Sequence, residues 1–535
     1  MDQKIEEALA RARQLHAARD LDGALGAYAA ILSADPTRLD ALDGLVSILE
    51  MARTPSFHPR LAGLIEAALA APGANTEALS QTATAQLVRK YRMDDPQQAP
   101  ARDLLLAMAR DGLMLATLVC CIVRDPVFEA FMCKARRALC AADMPAAAMP
   151  LALALALQAD NNEFIWPQDA DDAAAFAALP RDAFGLARRA TFAPLDGAAG
   201  TFPELSGLVA ATVTAVENVR AAQARIPTLV PIADRTSLAV GAMYEANPFP
   251  RWMNLRRIVP FDIRAELSRR FEFAGPFPAF ASPLRVLMPG AGTGQHPLTV
   301  AANYADVEVE AVDLSRASLG YGLVKAETLG VPNIHFAQAD ILDLPKLGSS
   351  WGHVESIGVL HHMENPRAGL EALVAVTVPG SFVRLGLYGE RGRAVVVEAR
   401  KAIAERGYAP DLAGLRAFRT DVLSGALGKR LQDELPHWSD FHSASLLRDL
   451  CFHVMEHRYD IAGIRKLVEG LPLRFLGFDF GFGHAARRAN DAPATRAYAK
   501  RFPKETTFSD LANWEAVEKA DPSLFDGYQF WLLRT

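Results

Sequence analysis

The chain reads Val-Leu-Met-Pro-Gly-Ala-Gly-Thr-Gly-Gln over residues 286–295, and this stretch decides the fold class. A strand-like run at residues 284–288 leads into it, and a helical pattern at residues 296–304 follows it. Glycines in a strand-to-helix turn allow positive backbone angles and let a ligand lie against bare main chain. The spacing is Gly-x-Gly-x-Gly, whereas dinucleotide-binding turns use Gly-x-Gly-x-x-Gly. The stretch therefore predicts a ligand-binding turn at the edge of a parallel sheet.

Strand and helix patterns keep alternating after this turn. Strands are predicted at residues 307–312, 334–337, 354–359 and 382–387, and helices at residues 316–329 and 367–376. Such alternation predicts a parallel sheet with helices on both faces. The predicted fold class is α/β. A doubly wound, Rossmann-like domain at residues 276–392 is flanked by an all-α N-terminal region and a mainly helical C-terminal region at residues 393–535.

Acidic and glycine residues follow the predicted strands at the positions where open α/β sheets bind ligands. Asp313 ends the second strand, and its carboxylate can accept hydrogen bonds from both hydroxyls of a ribose. Asp340 ends the third strand, where an acid can reach the amino group of an adenine. Gly358 follows the fourth strand, beside the expected position of a reacting group. Either acid alone could cap a helix, but the ordered set favours a nucleoside ligand.

Residues 280–390 resemble the class I S-adenosylmethionine-dependent methyltransferases. The resemblance implies S-adenosylmethionine as cofactor and methyl transfer as the reaction. Two departures are Met288, where many members have an acid, and Trp351-Gly352, where many have Phe-Asp. The predicted cofactor-binding residues are Gly290, Ala291, Gly292, Gly294, Gln295, Asp313, Leu314, Ala339, Asp340, Ile341, Gly358 and Arg251.

A wider resemblance covers most of the chain. Its motifs are Asn162-Glu163-Phe164, residues 244–252, Asp313-Leu314-Ser315-Arg316, residues 358–362, Gly386-Leu387-Tyr388 and residues 528–531. These motifs are similar to bacterial methyltransferases with tetratricopeptide-like N-termini. The layout also resembles the rickettsial protein-lysine methyltransferases that modify an outer-membrane protein. That resemblance implies a protein lysine as methyl acceptor and a homodimer.

Residues 1–160 are predicted to be helical and tetratricopeptide-like. The small, aromatic, apolar and proline positions of one such repeat are occupied by Ala24, Tyr28, Leu32 and Pro36. The next copy fades, and a single repeat does not build a solenoid because each repeat needs neighbours to bury its face. A helical domain with a repeat-like first hairpin and a peptide-binding array are both compatible with this pattern.

Residues 161–275 form a predicted helical connector with a cofactor lid at residues 240–255. This segment has two prolines and three aromatic residues, so it cannot be a regular helix throughout. Arg251 could pair with the methionine carboxylate of the cofactor, and Tyr244 could face its sulfonium. A rigid aromatic linker is the alternative.

The predicted catalytic residues are His361, His362 and Tyr244. A histidine could remove the proton that an ammonium acceptor must lose, although a His-His pair could equally only shape the pocket. His453 and His457 stand in the His-x-x-Glu-His spacing of some zinc peptidases. Zinc would need a third ligand and a suitable fold, so we expect no metal.

Composition narrows the remaining choices. The 535 residues carry a formal net charge of −6 and offer no overall basic surface, which argues against nucleic acid as a partner. Five cysteines without a Cys-x-x-Cys pair indicate reduced thiols and a cytoplasmic protein. The apolar stretches at residues 113–123 and 149–157 are too short to insert across a bilayer. We expect a protein or peptide acceptor; a small-molecule methyltransferase and a scaffold with an inactive domain are the alternatives.

Overall fold

The computed structural model describes residues 2–195, 197–277, 280–480 and 492–535. The chain divides into two compact units, each assembled from three stretches. The helical unit comprises Met1–Glu217, Arg251–Val259 and Ile403–Leu450. The sheet unit comprises Asn218–Pro250, Pro260–Ala402 and Cys451–Thr535.

The α-helices follow one another along the chain with these bounds: α1 Asp2–Ala17, α2 Leu21–Ala34, α3 Leu39–Leu49, α4 Pro59–Ala70, α5 Thr76–Tyr91, α6 Arg102–Met108, α7 Gly112–Cys120, α8 Pro126–Ala138, α9 Met149–Asn161, α10 Ala170–Ala178, α11 Ala183–Arg189, α12 Ser206–Val209, α13 Ala215–Gln223, α14 Arg235–Ala246, α15 Ile263–Arg270, α16 Gln295–Asn303, α17 Arg316–Leu329, α18 Pro366–Val376, α19 Ala394–Arg406, α20 Leu412–Leu423, α21 Lys429–Glu434, α22 Ala444–Phe452, α23 Ile461–Val468, α24 Pro493–Arg501 and α25 Leu511–Ala520. The strands are β1 Leu284–Pro289, β2 Val307–Asp313, β3 Ile334–Gln338, β4 Trp351–Ile357, β5 Thr377–Tyr388, β6 Leu473–Phe478 and β7 Gly527–Arg534. No helix among the described residues is long and apolar enough to cross a lipid bilayer.

The helical unit begins with the hairpin of α1 and α2 that the sequence suggested. Asp20 caps α2 by accepting a hydrogen bond from the Gly23 amide, and Ala24 and Tyr28 are buried on its inner face. Farther along the chain, Arg419 of α20 forms two hydrogen bonds, 2.5 and 2.6 Å long, with the carboxylate of Glu129 on α8. The hairpin is helical as predicted, and the assignment of a tetratricopeptide repeat stays a prediction.

The sheet unit holds one sheet of seven strands in the order β3-β2-β1-β4-β5-β7-β6. Strands β1 to β5 are parallel, and β7 lies antiparallel between β5 and β6. This topology confirms the predicted doubly wound α/β class. The C-terminal region adds two strands to the sheet, because the aromatic run at residues 528–531 forms the buried centre of β7. The carboxyl ends of β3, β2, β1 and β4 are neighbours, so the predicted ligand-binding residues lie along one edge.

Candidate functional site

The turn after β1 has two positions, Gly290 and Gly292, at which a side chain cannot be accommodated. Gly290 and Gly292 have φ angles of +71° and +52°, a region that L side chains rarely adopt. A Cβ atom on Gly290 would lie 2.3 Å from a methyl carbon of Val359. A Cβ atom on Gly292 would lie 2.6 Å from the carbonyl oxygen of Phe249. The turn therefore requires glycine both for its conformation and for the close approach of neighbouring chain.

Asp313 at the end of β2 is oriented by main-chain amides. Its Oδ2 accepts a hydrogen bond from the Gly292 amide at 2.8 Å, and its Oδ1 accepts one from the Ser315 amide at 2.9 Å. Burial raises the pKa of the Asp313 carboxyl, although these amides act to lower it. Each carboxylate oxygen has a further lone pair. The group is thus held in place while it can still accept hydrogen bonds from two hydroxyls.

Asp340 after β3 has one engaged oxygen and one unpaired oxygen. Its Oδ1 accepts a hydrogen bond from the Leu342 amide at 3.0 Å, which is the helix-capping role that the sequence left open. Its Oδ2 is buried and has no hydrogen-bond partner among the described residues. A buried acceptor without a donor is costly, so this atom fits an amino group supplied by a ligand. The side chains of Ala339 and Ile341 beside it are buried and apolar.

A short segment before α14 lengthens the edge of the sheet beyond β3. The Gln338 amide donates to the carbonyl of Pro227 at 2.8 Å, and the Leu229 amide donates to the carbonyl of Gln338 at 2.9 Å. The Gln338 side chain also donates to the carbonyl of Leu314 at 2.8 Å. Residues 227–229 therefore border the Asp340 end of the site, and no strand pattern in the sequence pointed to them.

Residues 240–250 of the predicted lid lie directly on the glycine turn. The Thr293 amide donates to the carbonyl of Phe249 at 3.0 Å, and the Thr293 hydroxyl donates to the carbonyl of Pro250. Glu245 accepts hydrogen bonds from the Ser315 hydroxyl and the Ala317 amide, both 3.0 Å long. These contacts place the segment over the turn and over the start of α17. Closure over a bound cofactor stays a prediction.

Arg251 belongs to the helical unit and is paired there. Its guanidinium contacts the carboxylate of Asp160, a residue of α9. Burial raises the pKa of Asp160, and Arg251 opposes that shift. The sequence had suggested the methionine carboxylate as the partner of Arg251. The partner that the structure shows is Asp160, and the role at the cofactor stays a prediction.

The predicted catalytic residues lie in one aromatic cluster of the sheet unit, near the end of β4. The ring centroid of His361 lies 3.8 Å from that of Tyr388 and 4.3 Å from that of His362. His362 in turn stacks on His453, with centroids 3.8 Å apart. His453 Nε2 lies 3.1 Å from the hydroxyl oxygen of Tyr244. Sequence reasoning proposed three of these residues, and the structure adds Tyr388 and His453.

Hydrogen bonds fix which ring nitrogens carry protons in this cluster. His453 Nδ1 accepts from the Met455 amide at 3.1 Å, so Nε2 carries the hydrogen and donates to Tyr244. His362 Nδ1 lies 2.8 Å from the carbonyl of Met455 and must donate to it. Burial, reinforced by His362, lowers the pKa of His453 to about 3. His453 is therefore uncharged at neutral pH.

His361 is the buried member of the cluster with unused hydrogen-bonding capacity. Neither ring nitrogen has a partner among the described residues. Burial, together with the charges of His362 and Arg393, lowers the pKa of His361 well below its usual range. Gly358, three residues earlier, borders open space, since a Cβ atom there would meet nothing within 4 Å beyond its chain neighbours. A reacting group can therefore be accommodated beside Gly358.

The His-x-x-Glu-His motif does not lie on a helix, because α22 ends at Phe452. Glu456 pairs with Arg393, whose guanidinium carbon lies 4.0 Å from the ring centroid of Tyr388. The motif therefore contributes His453 to the aromatic cluster and an ion pair that supports Tyr388. The helical geometry of a zinc peptidase motif is not present.

The part of the chain that contains this site is similar to known proteins. A family model described as a methyltransferase domain matches residues 286–380. Over 198 residues the chain is 30% identical to a demethylmenaquinone methyltransferase from Clavibacter sepedonicus, covering 35% of this chain and 73% of that protein. The chain belongs to the class I S-adenosylmethionine-dependent methyltransferases. S-adenosylmethionine is accordingly the cofactor of this methyltransferase, as the glycine turn and the unpaired oxygen of Asp340 also indicate.

Two further relatives cover more of this methyltransferase. An uncharacterised protein of Synechococcus sp. is 28% identical over 332 residues, which is 58% of this chain and 75% of that protein. The solved structure of PKMT2 from Rickettsia typhi is 15% identical with a TM-score of 0.39, covering 52% of this chain and 54% of that one. This chain thus spans about half the length of the Rickettsia structure.

Proposed function

We propose that the protein transfers the methyl group of S-adenosylmethionine to an amine nitrogen, and that a lysine side chain of a protein is the acceptor. The observation that carries the proposal is the aromatic cluster beside Gly358. In it, buried His361 has two unpaired ring nitrogens and lies against the ring of Tyr388. Bound S-adenosylmethionine supplies a methyl group on a positively charged sulfur.

The cluster suits an amine because it disfavours buried positive charge. The same burial that lowers the pKa of His361 and His453 would lower the pKa of an entering lysine ammonium. Loss of its proton leaves the nitrogen lone pair free to form the new N–C bond as the S–C bond breaks. The ring of Tyr244 offers an apolar wall for the lysine stem. Positioning and exclusion of water can then supply most of the acceleration.

His361 is the group in this cluster best suited to receive a hydrogen bond from the amine. Its two ring nitrogens are buried and unpaired among the described residues, whereas both ring nitrogens of His453 are engaged. A neutral imidazole can orient an N–H through its bare nitrogen. We therefore assign His361 to the orientation of the acceptor and His453 to the support of Tyr244.

A small aromatic acceptor is the second candidate, and one observation favours it. The Clavibacter sepedonicus relative is named for methylation of demethylmenaquinone, and it shares 30% identity over 198 residues with this chain. An aromatic ring could pack against Tyr244 in place of an amine stem. The two candidates predict different labelled products.

The test is incubation of the protein with S-adenosylmethionine labelled in its methyl group and with cell lysate. Label in the protein fraction that elutes as methyllysine after hydrolysis supports the proposal. Label that enters only solvent-extractable small molecules contradicts it and supports the aromatic acceptor. Absence of any label transfer by protein that binds S-adenosylhomocysteine contradicts both.

A matched pair of variants tests the role of the cluster. His361→Asn should reduce the rate of label transfer by about tenfold, roughly the loss of one hydrogen bond that orients the amine. His335→Asn alters a histidine on β3 that pairs with Glu308 at the protein surface, and should leave the rate unchanged. Equal rates for both variants and the wild type would contradict the assignment of His361.

A further inference from the structure

The carboxylate of Glu355 on β4 is completely buried in the sheet unit and is the centre of a polar network. Four side chains surround it, each within hydrogen-bonding distance: His353 Nε2 at 2.9 Å, Tyr304 Oη at 3.0 Å, His296 Nε2 at 3.1 Å and Arg384 Nη1 at 3.2 Å. A carboxylate with this many partners is fixed in position. None of these side chains was part of the predicted cofactor or acceptor residues.

Two of the four partners come from α16 and from the residue that follows it. His296 lies in its first turn, two residues after Gly294, and Tyr304 directly follows its last residue. The other two partners come from the sheet, His353 from β4 and Arg384 from β5. Both ends of α16 are therefore tied to one carboxylate that is fixed to the sheet. The helix begins where the glycine turn ends, so its position also sets the position of that turn.

The charge on Glu355 is maintained inside the protein. Burial alone would raise the pKa of Glu355, but Arg384 and the histidines His296 and His353 hold it well below its usual range. Arg384 is also paired with Asp479 at 2.8 Å. Because unpaired buried charges are very costly, such a network resists rearrangement. A rigid anchor of this kind suits a helix whose exact placement matters.

The order of the strands indicates which part of the cofactor is expected to lie near α16. The adenine end is expected at Asp340 after β3, and the ribose at Asp313 after β2. Since β1 and β4 come next in the sheet, the amino-acid end of the cofactor falls on the turn after β1 and the start of α16. The Ala291, Gly292, Thr293 and Gly294 amides of the turn already donate hydrogen bonds within the protein. Amides at a helix start attract a carboxylate, so those in the first turn of α16 are the candidates for the amino-acid end.

The geometry points to Glu355 as a positioning residue that holds α16, through His296 and Tyr304, for recognition of the amino-acid end of the cofactor. The inference rests on the cofactor site and is independent of the methyl acceptor. The inference predicts a selective effect on affinity. Loosening α16 should weaken the binding of a ligand that has the amino-acid end, and should leave unchanged the binding of a ligand that has only the nucleoside.

The experiment compares S-adenosylhomocysteine with 5′-methylthioadenosine, which lacks the amino-acid end, by isothermal titration calorimetry. The variant His296→Asn keeps a polar group near the Nδ1 position but has none at Nε2, so it loses the contact with Glu355. We expect about tenfold weaker binding of S-adenosylhomocysteine, the effect of roughly one hydrogen bond to a charged group. Binding of 5′-methylthioadenosine should change less than about twofold, since that ligand makes none of the contacts in question.

The matched control is His335→Asn, which alters a histidine on β3 that pairs with Glu308 at the protein surface and lies outside this network. It should leave both affinities within about twofold of the wild type. Equal weakening of both ligands by His296→Asn, or no weakening of either, overturns the inference. So does weakening of S-adenosylhomocysteine binding to the same degree by His335→Asn, because the effect would then not depend on the contact between α16 and Glu355.

A second pair keeps the test decisive if a variant fails to fold, as judged by its thermal melting. Tyr304→Phe removes only a hydroxyl from the other end of α16 and should reproduce the selective loss. Asp479→Asn alters the network on the far side of Arg384, where no residue of α16 takes part, and should not reproduce it. A selective loss in Asp479→Asn, or its absence in Tyr304→Phe, contradicts the inference.

Discussion

The two halves of the proposed site are built in opposite ways. The proposed cofactor half comprises main-chain groups of the turn after β1 and two carboxylates, all supplied by residues 290–341. The proposed acceptor half comprises the side-chain rings of Tyr244, His361, Tyr388 and His453, which come from four distant segments. The first half is set by backbone conformation and the second by packing and burial. Substitutions should therefore act on different quantities in each half.

The largest effect is expected from Gly292→Ala in the cofactor half. Alanine would adopt a positive φ angle there, and its Cβ atom would meet the Phe249 carbonyl oxygen at 2.6 Å. We expect at least a hundredfold loss of S-adenosylhomocysteine affinity in calorimetry, since strain and the clash each cost roughly 1–3 kcal/mol. Gly330→Ala is the control, because Gly330 also has a positive φ angle but borders open space. Similar losses in both variants would show that only backbone strain matters.

A smaller loss is expected from Asp340→Asn. An amide would place a donor or a neutral acceptor where the buried Oδ2 lacks a partner. Affinity for S-adenosylhomocysteine should fall by about 1–3 kcal/mol, the penalty of an ill-matched buried hydrogen bond. Asp343→Asn alters the neighbouring carboxylate, which pairs with Lys346, and should bind normally. Normal binding by Asp340→Asn would remove this residue from the site.

The burial of His453 in the acceptor half should make the stability of the protein depend on pH. The unfolded chain protonates His453 near pH 6.5, whereas the folded protein does so only at about pH 3. Between these values the unfolded state binds more protons, so the free energy of unfolding falls as the pH falls. Between pH 7.5 and 5.0 the melting temperature of the wild type should drop more than that of His453→Gln, by the equivalent of about 1 kcal/mol or more. Parallel drops in both proteins would mean that His453 titrates normally in the folded state.

The smallest effect concerns the segment that lies over the glycine turn. Thr293→Val removes the hydrogen bond to the Pro250 carbonyl, worth about 0.5–1.5 kcal/mol. Amide hydrogen exchange at residues 240–250 should become faster, and bound S-adenosylhomocysteine should slow it again. Thr299→Val, which removes a hydroxyl bonded within α16, is the control and should not change exchange there. Unchanged exchange in Thr293→Val would mean that this contact does not hold the segment.

The place of the proposed cofactor-binding residues in the fold could be predicted from the sequence because they follow consecutive parallel strands. The ends of β1, β2 and β3 are neighbours in the sheet, so Asp313 and Asp340 lie at the same edge as the turn. Their contact with the cofactor stays a prediction. The pairing of residues 227–229 with Gln338 could not be foreseen, since it is a contact over more than a hundred residues without a strand pattern. Such contacts depend on tertiary packing alone.

The acceptor half and the C-terminal strands were harder to predict from the sequence, because they too depend on contacts between distant parts of the chain. The spacing of His453 and His457 suggested a helix, yet α22 ends one residue before His453, so the two rings do not share a helical face. The aromatic run at residues 528–531 gave no sign that it pairs with β5, more than a hundred residues away. The position of Glu355 on the adjoining strand β4, one residue past the paired Leu287 and Val354, is evident only from the sheet register.

The most direct test measures two quantities in two variants. Calorimetry gives the affinity for S-adenosylhomocysteine, and transfer of labelled methyl at saturating S-adenosylmethionine gives the rate, in Asp340→Asn and in His361→Asn. The account predicts that Asp340→Asn binds more weakly and transfers at close to the wild-type rate once saturated. It predicts that His361→Asn binds S-adenosylhomocysteine normally and transfers the methyl group about tenfold more slowly. Loss of affinity in His361→Asn, or a wild-type rate in that variant, would contradict the division of the site into a cofactor half and an acceptor half.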